Sequence, residues 1–162
     1  MILRLAVDWF GRLVGRRWVQ EETRMLRTVI RRETSGRQLT FWDYNELGIH
    51  FFDHRAYDLA VAAFKRAVDA AVFPLAALDI NLGAAYLARG MGAQARTWLE
   101  KGLSIEPDNQ KGRCLLAYTF KQAGLASEAL AELKRAYALD PGSPEGRGVE
   151  QEIARLPSGV AG

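Results

Sequence analysis

Apolar residues recur at helical spacing along most of this chain, and no stretch alternates with the two-residue period of a half-buried strand. From residue 41 onward the pattern falls into segments of about 13–15 residues. It predicts helices over 41–53, 57–71, 75–89, 92–104, 108–122 and 125–139. The interruptions are turn chemistry: His54-Arg55, the Asp69–Pro74 connection, Gly90, Pro107 and Gly124. Pro141 closes the sixth segment, and a seventh helix is expected over 144–156, with Pro144 in its first turn, where the ring is tolerated. The fold class expected is all-α.

The first 37 residues carry a different pattern. Over residues 2–14 the polar positions Arg4, Asp8, Gly11, Arg12 and Gly15 fall within a sector of roughly 100° on a helical wheel. Ile2, Leu3, Leu5, Ala6, Val7, Trp9, Phe10, Leu13 and Val14 fill the rest. Arg16-Arg17-Trp18 follows, the period runs on through Met25, Leu26, Val29 and Ile30, and Thr34-Ser35-Gly36 ends it. So broad an apolar sector needs a cover. Three readings stand open: the arm packs on the rest of the chain as a cap, lies in a membrane interface with its arginines toward anionic lipid, or docks into a larger complex. The candidates for membrane or partner docking are Ile2, Leu3, Leu5, Trp9, Phe10, Arg12, Leu13, Arg16, Arg17 and Trp18.

The six central segments repeat in pairs. Leu47-Gly48, Leu82-Gly83 and Leu116-Ala117 align, the step from the first to the second being one longer than the next. Three positions past each small residue stands an aromatic: Phe51, Tyr86, Phe120. Twelve past it stands Ala60, Ala95 or Ala129, then Phe64, Leu99 or Leu133, then Ala67, Gly102 or Ala136. Pro107 and Pro141 close the second and third units. Small residues on both helices of a pair let the backbones approach, aromatics fill the space left, and glycines at 90 and 124 suit a left-handed turn.

This pattern resembles the tetratricopeptide-repeat family, whose unit of about 34 residues carries W-x₂-L-G-x₂-Y…A-x₃-F…P. The resemblance covers residues 41–141. Tyr44, Asp79 and Arg113 depart from it at the tryptophan position, repeat one has no glycine at its turn, and the first connection is lengthened. It implies a right-handed helical-repeat solenoid of three helix pairs, with repeats at 41–74, 75–107 and 108–141 inside a 38–141 domain. Before it lies the basic arm of residues 1–37, and after it a capping helix and tail at 142–162. It also implies a concave face lined by the first helix of each pair: Trp42, Asn45, Ile49 and Phe52, then Ala77, Ile80, Ala84 and Leu87, then Lys111, Cys114, Tyr118, Lys121 and Gln122. Such a groove holds a segment of a partner protein. One branch of the family clamps C-terminal carboxylates, and of that clamp only Asn81 and Lys111 are present, so tail binding of that kind is not expected.

Charge and chemistry narrow this further. The net charge is +3, but residues 1–37 hold nine arginines against four acids, so the rest of the chain is net negative. A basic stripe along a folded face, the mark of a nucleic-acid protein, is missing after residue 40. The single cysteine, Cys114, excludes an internal disulfide and suits a reducing compartment. It reads as a packing residue rather than a nucleophile. Arg4, Asp8 and Arg12 interrupt the run that a signal peptide leaves uncharged, and no stretch reaches the roughly 20 apolar residues that span a bilayer. His50 and His54 have helical zinc spacing without an evident third ligand. No phosphate loop, catalytic triad or paired carboxylate stands out. The expectation is a non-enzymatic scaffold or adaptor with no cofactor, no metal, no small-molecule substrate and no nucleic acid. It is placed in the cytoplasm, with the arm a candidate for attachment at the inner face of a membrane. Alternatives are an accessory or assembly subunit of a membrane protein complex and a secretion-type chaperone. Seventeen arginines against five lysines hint at a GC-rich bacterial genome.

Overall fold

The computed structural model describes residues 38–155. The arm of residues 1–37, with every docking candidate from Ile2 to Trp18, and residues 156–162 lie outside the described residues. Among the described residues there are seven helices and no strand: α1 (Phe41–Asp53), α2 (Tyr57–Ala70), α3 (Ala76–Ala88), α4 (Gly92–Ile105), α5 (Gln110–Gln122), α6 (Ala126–Leu139) and α7 (Pro144–Arg155). Each of the seven helices expected between residues 41 and 156 forms, with its ends at or close to the expected positions.

The ends have local causes. Thr40 caps α1 with a reciprocal box: its hydroxyl accepts from the Asp43 amide, and the Asp43 carboxylate accepts from the Thr40 amide at 2.9 Å. Such a box satisfies two amides that the first turn otherwise leaves unpaired. At α5 the Asn109 side chain accepts from the Gly112 amide at 2.8 Å, which moves the start to Gln110 rather than 108. Asparagine is among the best residues for that capping role. The turns inside all three pairs share one hydrogen-bond pattern. The Gly90 and Met91 amides donate to the carbonyls of Leu87 and Tyr86, and those of Gly124 and Leu125 to Lys121 and Phe120. In the first pair the Arg55 and Ala56 amides donate likewise to Phe52 and Phe51. Gly90 has φ +78°, Gly124 φ +76° and Arg55 φ 59°. Arg55 adopts that left-handed conformation without glycine's freedom.

The chain divides into two compact units, one ending at Phe73 and the other beginning at Pro74. In the first, α1 packs on α2 through Leu47, Gly48, Phe51, Ala60, Ala63, Phe64 and Ala67, all buried. A β-carbon on Gly48 would stand 2.4 Å from the Phe64 ring, so the glycine is there to admit the ring.

In the second unit α3 packs on α4, α5 on α6, and α4 lies against α5. A β-carbon on Gly83 would meet Leu99 at 2.7 Å, and one on Gly102 would meet Ile80 at 2.7 Å. Helix α7 closes this unit: Val149 joins a buried cluster with Ala117, Leu133 and Ala136, and Cys114, Tyr137 and Ile153 pack against it. The Gln110 carboxamide donates to the carbonyls of Ala136 and Asp140 and accepts from the Ser143 hydroxyl, stitching the start of α5 to the end of α6 and the start of α7.

The unusual residues at the tryptophan position become clear in this unit. Asp79, 2% exposed, receives Lys101 of α4 at 3.0 Å, and Arg113 of α5 donates to Glu132 of α6 at 2.8 Å. Both ion pairs join the two helices of one repeat, where an indole would otherwise pack between them.

Two outcomes test this packing. Gly48→Ala and Gly83→Ala should each cost about 1–3 kcal/mol, because the ring and the leucine they strike are buried. Gly92→Ala, at a helical site with nothing within 4 Å, should instead gain stability. The gain should reach up to about 1 kcal/mol. Equal thermal midpoints for the three variants would place the close approach elsewhere. Arg55→Gly should raise stability by up to about 1 kcal/mol, since a side chain in the left-handed region costs about 1–2 kcal/mol. A lower midpoint for that variant would mean the Arg55 side chain contributes more than its backbone costs.

Candidate functional site

The expected groove residues sort into three groups by where the helices carry them. On α1, Trp42 is 63% exposed and Ile49 43%, while Phe52 is half-buried. The Trp42 ring leans on Phe41, with centroids 4.8 Å apart, and Phe52 meets Tyr57 edge-on at 5.5 Å. Trp42, Glu46, Ile49 and Asp53 are all exposed. They recur at helical spacing, so α1 shows an apolar stripe with acidic members.

On α5 the positions equivalent to Trp42, Asn45, Ile49 and Phe52 are Lys111, Cys114, Tyr118 and Lys121. Tyr118 is 50% exposed, the two lysines are exposed, and Cys114 is half-buried against the α7 cluster. The Lys111 ammonium lies 3.4 Å from the Asn81 carboxamide oxygen, so these two family-type groups do meet. Lys121 sits 5.8 Å from the Tyr118 ring centroid and is ion-paired with Glu152 of α7.

The third group is interior. Asn45, Ile80, Ala84 and Leu87 are buried, which takes them off an open groove wall. For the last three the reason lies in α3, where ten of thirteen residues are buried. Ile80 reaches both α4 and α5, and a β-carbon on Gly112 would stand 3.1 Å from its Cδ1. Of the second repeat's expected face, Ala77 is exposed.

Lys121 therefore plays a part that spacing did not suggest. The hydrogen bond that its ammonium donates to Glu152 is the main reason it titrates above the ordinary 10.5; desolvation opposes the shift, and the same carboxylate's charge adds to it. The pair clasps α7 onto α5. Arg155 approaches the same carboxylate at 3.9 Å.

The two histidines stay within their own helix end. The His54 ring nitrogen Nδ1 is 2.8 Å from the His50 carbonyl oxygen, and the rings are 4.4 Å apart. Among the described residues, no three histidine, cysteine or acidic side chains gather where a metal ion would need them, and no helix is long and apolar enough to cross a membrane.

No family model matches the chain. Over 125 residues it is 33% identical to the cytochrome c-type biogenesis protein CycH of Rhizobium meliloti (strain 1021). That match covers 75% of this chain and 32% of the relative, so the chain spans about a third of the relative's length. Among solved structures it is similar to the first TPR of Spaghetti (RPAP3) bound to an HSP90 peptide, with TM-score 0.61 and 20% identity over 71% of this chain and 94% of that one. It is also similar to the Yersinia enterocolitica type III secretion chaperone SycD in complex with a peptide of the translocator YopD. There the TM-score is 0.63, with 18% identity over 72% of this chain and 88% of that one. The fold is thus the tetratricopeptide-repeat fold that the repeated pattern of leucine, small residue and aromatic resembles.

The clasp has a pH signature. The folded-state pKa of Lys121 is raised from 10.5. Its stabilising effect is therefore complete below the unfolded value and is lost as pH rises through the higher folded value. Wild type should melt above Glu152→Gln at neutral pH, with the gap closing on the alkaline side beyond 10.5. A gap that stays constant to the alkaline end would mean that the pair does not hold α7.

Proposed function

We propose that this chain is a non-enzymatic interaction scaffold or adaptor that holds a segment of a partner protein on the first helices of its repeats. The observation that carries the reading is register. Trp42 and Ile49 in the first repeat, and Lys111 and Tyr118 in the third, occupy equivalent positions, and all four are exposed. A large apolar side chain left in water at the same repeat position in two units serves no core and suits a partner. Two solved structures of this fold carry peptides, which supports a protein segment as the ligand class.

One specific observation favours a narrower second reading. The likeness to CycH supports a role as an accessory factor in cytochrome c-type biogenesis. In that reading the basic arm of residues 1–37 is the tether, either to a lipid surface or to a membrane protein complex. The SycD likeness supports a secretion-type chaperone instead, which would need no tether.

A photo-crosslinking amino acid tests the surface. Placed at Lys111 or Tyr118 in cells, it should trap one and the same partner. Placed at exposed Glu100 or Lys134, it should not. Tyr118→Ala should weaken capture by about 1–2 kcal/mol, roughly five- to thirty-fold, with the helical spectrum unchanged. Equal capture by all four positions would remove the partner from this face. Loss of a membrane-solubilised partner on deleting residues 1–33, with the repeats still folded, would select the assembly reading. A soluble partner kept after the deletion would select the scaffold or chaperone.

A further inference from the structure

A second surface lies away from the exposed stripe of α5. Between the α3–α4 turn and the C-terminal end of α5 an open cleft of about 360 Å³ forms, lined by Gly92, Ala93, Arg96, Phe120, Gln122 and Leu125 among others. Its lining is mostly apolar and contains no carboxylate. Three observations show a space that the fold leaves unfilled. A β-carbon at Gly90 or Gly92 would find nothing within 4 Å. Leu125, a leucine at the cleft's edge, stands 37% exposed. The space is also at the lower end of the range in which protein sites seat a bound group, roughly 300–1,000 Å³.

One charge dominates this cleft. The Arg96 guanidinium lies 5.1 Å from the centroid of the Phe120 ring, and its Nε donates to Glu100 at 2.7 Å. Both members of that i,i+4 pair are about half exposed. An exposed pair of this kind is weak and readily shared. A guanidinium carries five N–H donors and the pair uses one, which leaves the two terminal amino groups for another acceptor. The guanidinium carbon lies over the Phe120 ring, which places the cation beside the apolar floor.

We propose that this cleft is a docking seat for a partner protein that inserts an aromatic or large aliphatic side chain next to a carboxylate. The floor of Ala93, Phe120 and Leu125 takes the side chain, and Arg96 takes the acid. Complementarity of charge selects this occupant. The cation at the rim has no opposite charge among the lining groups. Glu100 engages only its Nε, so a partner carboxylate can take the terminal amino groups, whereas a basic segment would meet like charge there. The seat shares Gln122 with the expected face of α5 but is lined by neither Tyr118 nor Lys121.

The test uses the full chain and a minimal probe of the same chemistry. Titrate ¹⁵N-labelled protein with 3-phenylpropionate, and in parallel with its neutral twin 3-phenylpropanol. The acid should produce saturable shifts at the amides of Gly92, Ala93, Gln122 and Leu125, with at least threefold tighter binding than the alcohol. Arg96→Gln should erase that preference while leaving weak binding of both. Ala93→Leu, at an exposed helical position, should fill the cleft and abolish both, with the helical spectrum confirming that the variant folds. Shifts confined to Tyr118 and Lys121, or equal affinity for acid and alcohol, would overturn the proposal. So would concentration-dependent shifts of the same four amides without probe, which would assign the seat to a second copy. Displacement of the chain's own terminal residues by the probe would assign it to this chain and overturn it equally.

Discussion

Two helices joined by a short turn can bury their facing stripes only if their axes come close, and that closeness sets the terms for the rest of this molecule. Gly48 and Gly83 provide it by having no side chain where Phe64 and Leu99 arrive, and in the third pair Ala117, with only a methyl group, shares a buried cluster with Leu133. The returning helix contributes Ala60, Ala95 and Ala129, all buried. Because dispersion falls steeply with small gaps, a ring filling a glycine's space is worth many weak contacts at once. A methyl group on Gly48 or Gly83 must displace a packed neighbour instead.

Close approach also explains why charges are tolerated at the position where an indole usually fills the pair. Asp79 and Arg113 lie between helices that are already near each other, so each meets an opposite charge from the facing helix without a long reach. The two pairs are not equivalent. Glu132 is shared between Arg113 and Arg135, and most of its charge is matched. Asp79 has Lys101 on one oxygen, while its other oxygen is buried without a hydrogen-bond partner in the structure. The Asp79 carboxylate is buried while Lys101 stays 46% exposed, so breaking this pair would leave a buried charge uncompensated.

What the packed faces use up, the surface lacks, and the remainder is informative. Helix α3 commits most of its residues to its neighbours and keeps little for a ligand, whereas α1 and α5 keep one stripe each. These stripes differ in sign: Glu46 and Asp53 accompany Trp42 and Ile49, while Lys111 and Lys121 accompany Tyr118. Lys121 is only partly available, being held by Glu152, so the basic character of the third repeat's stripe rests mainly on Lys111. Helix α7 does more than cover an apolar end, since it also sets the charge presented beside Tyr118.

The sequence by itself determined the helices, their pairing and the small-residue contacts, because these depend on spacing within one repeat and on steric rules that hold in any all-α pair. Leu47-Gly48, Leu82-Gly83 and Leu116-Ala117 announced the close approach, and Gly90 and Gly124 announced their turns. The same rules misjudged local detail where a side chain or a carbonyl imposed its own demand. Asn109 moved the start of α5, and Arg55 took a glycine's conformation because the Phe51 and Phe52 carbonyls need those amides in any sequence. Only the tertiary structure decided which members of an expected face remain open. Ala84 shares a register with exposed Ile49 and Tyr118, and Leu87 with exposed Lys121, yet burial depends on what packs over them, and no spacing rule reports that. The partners of Asp79, Arg113 and Lys121 were likewise invisible, since each lies far along the chain on another helix and only the packing brings the charges together.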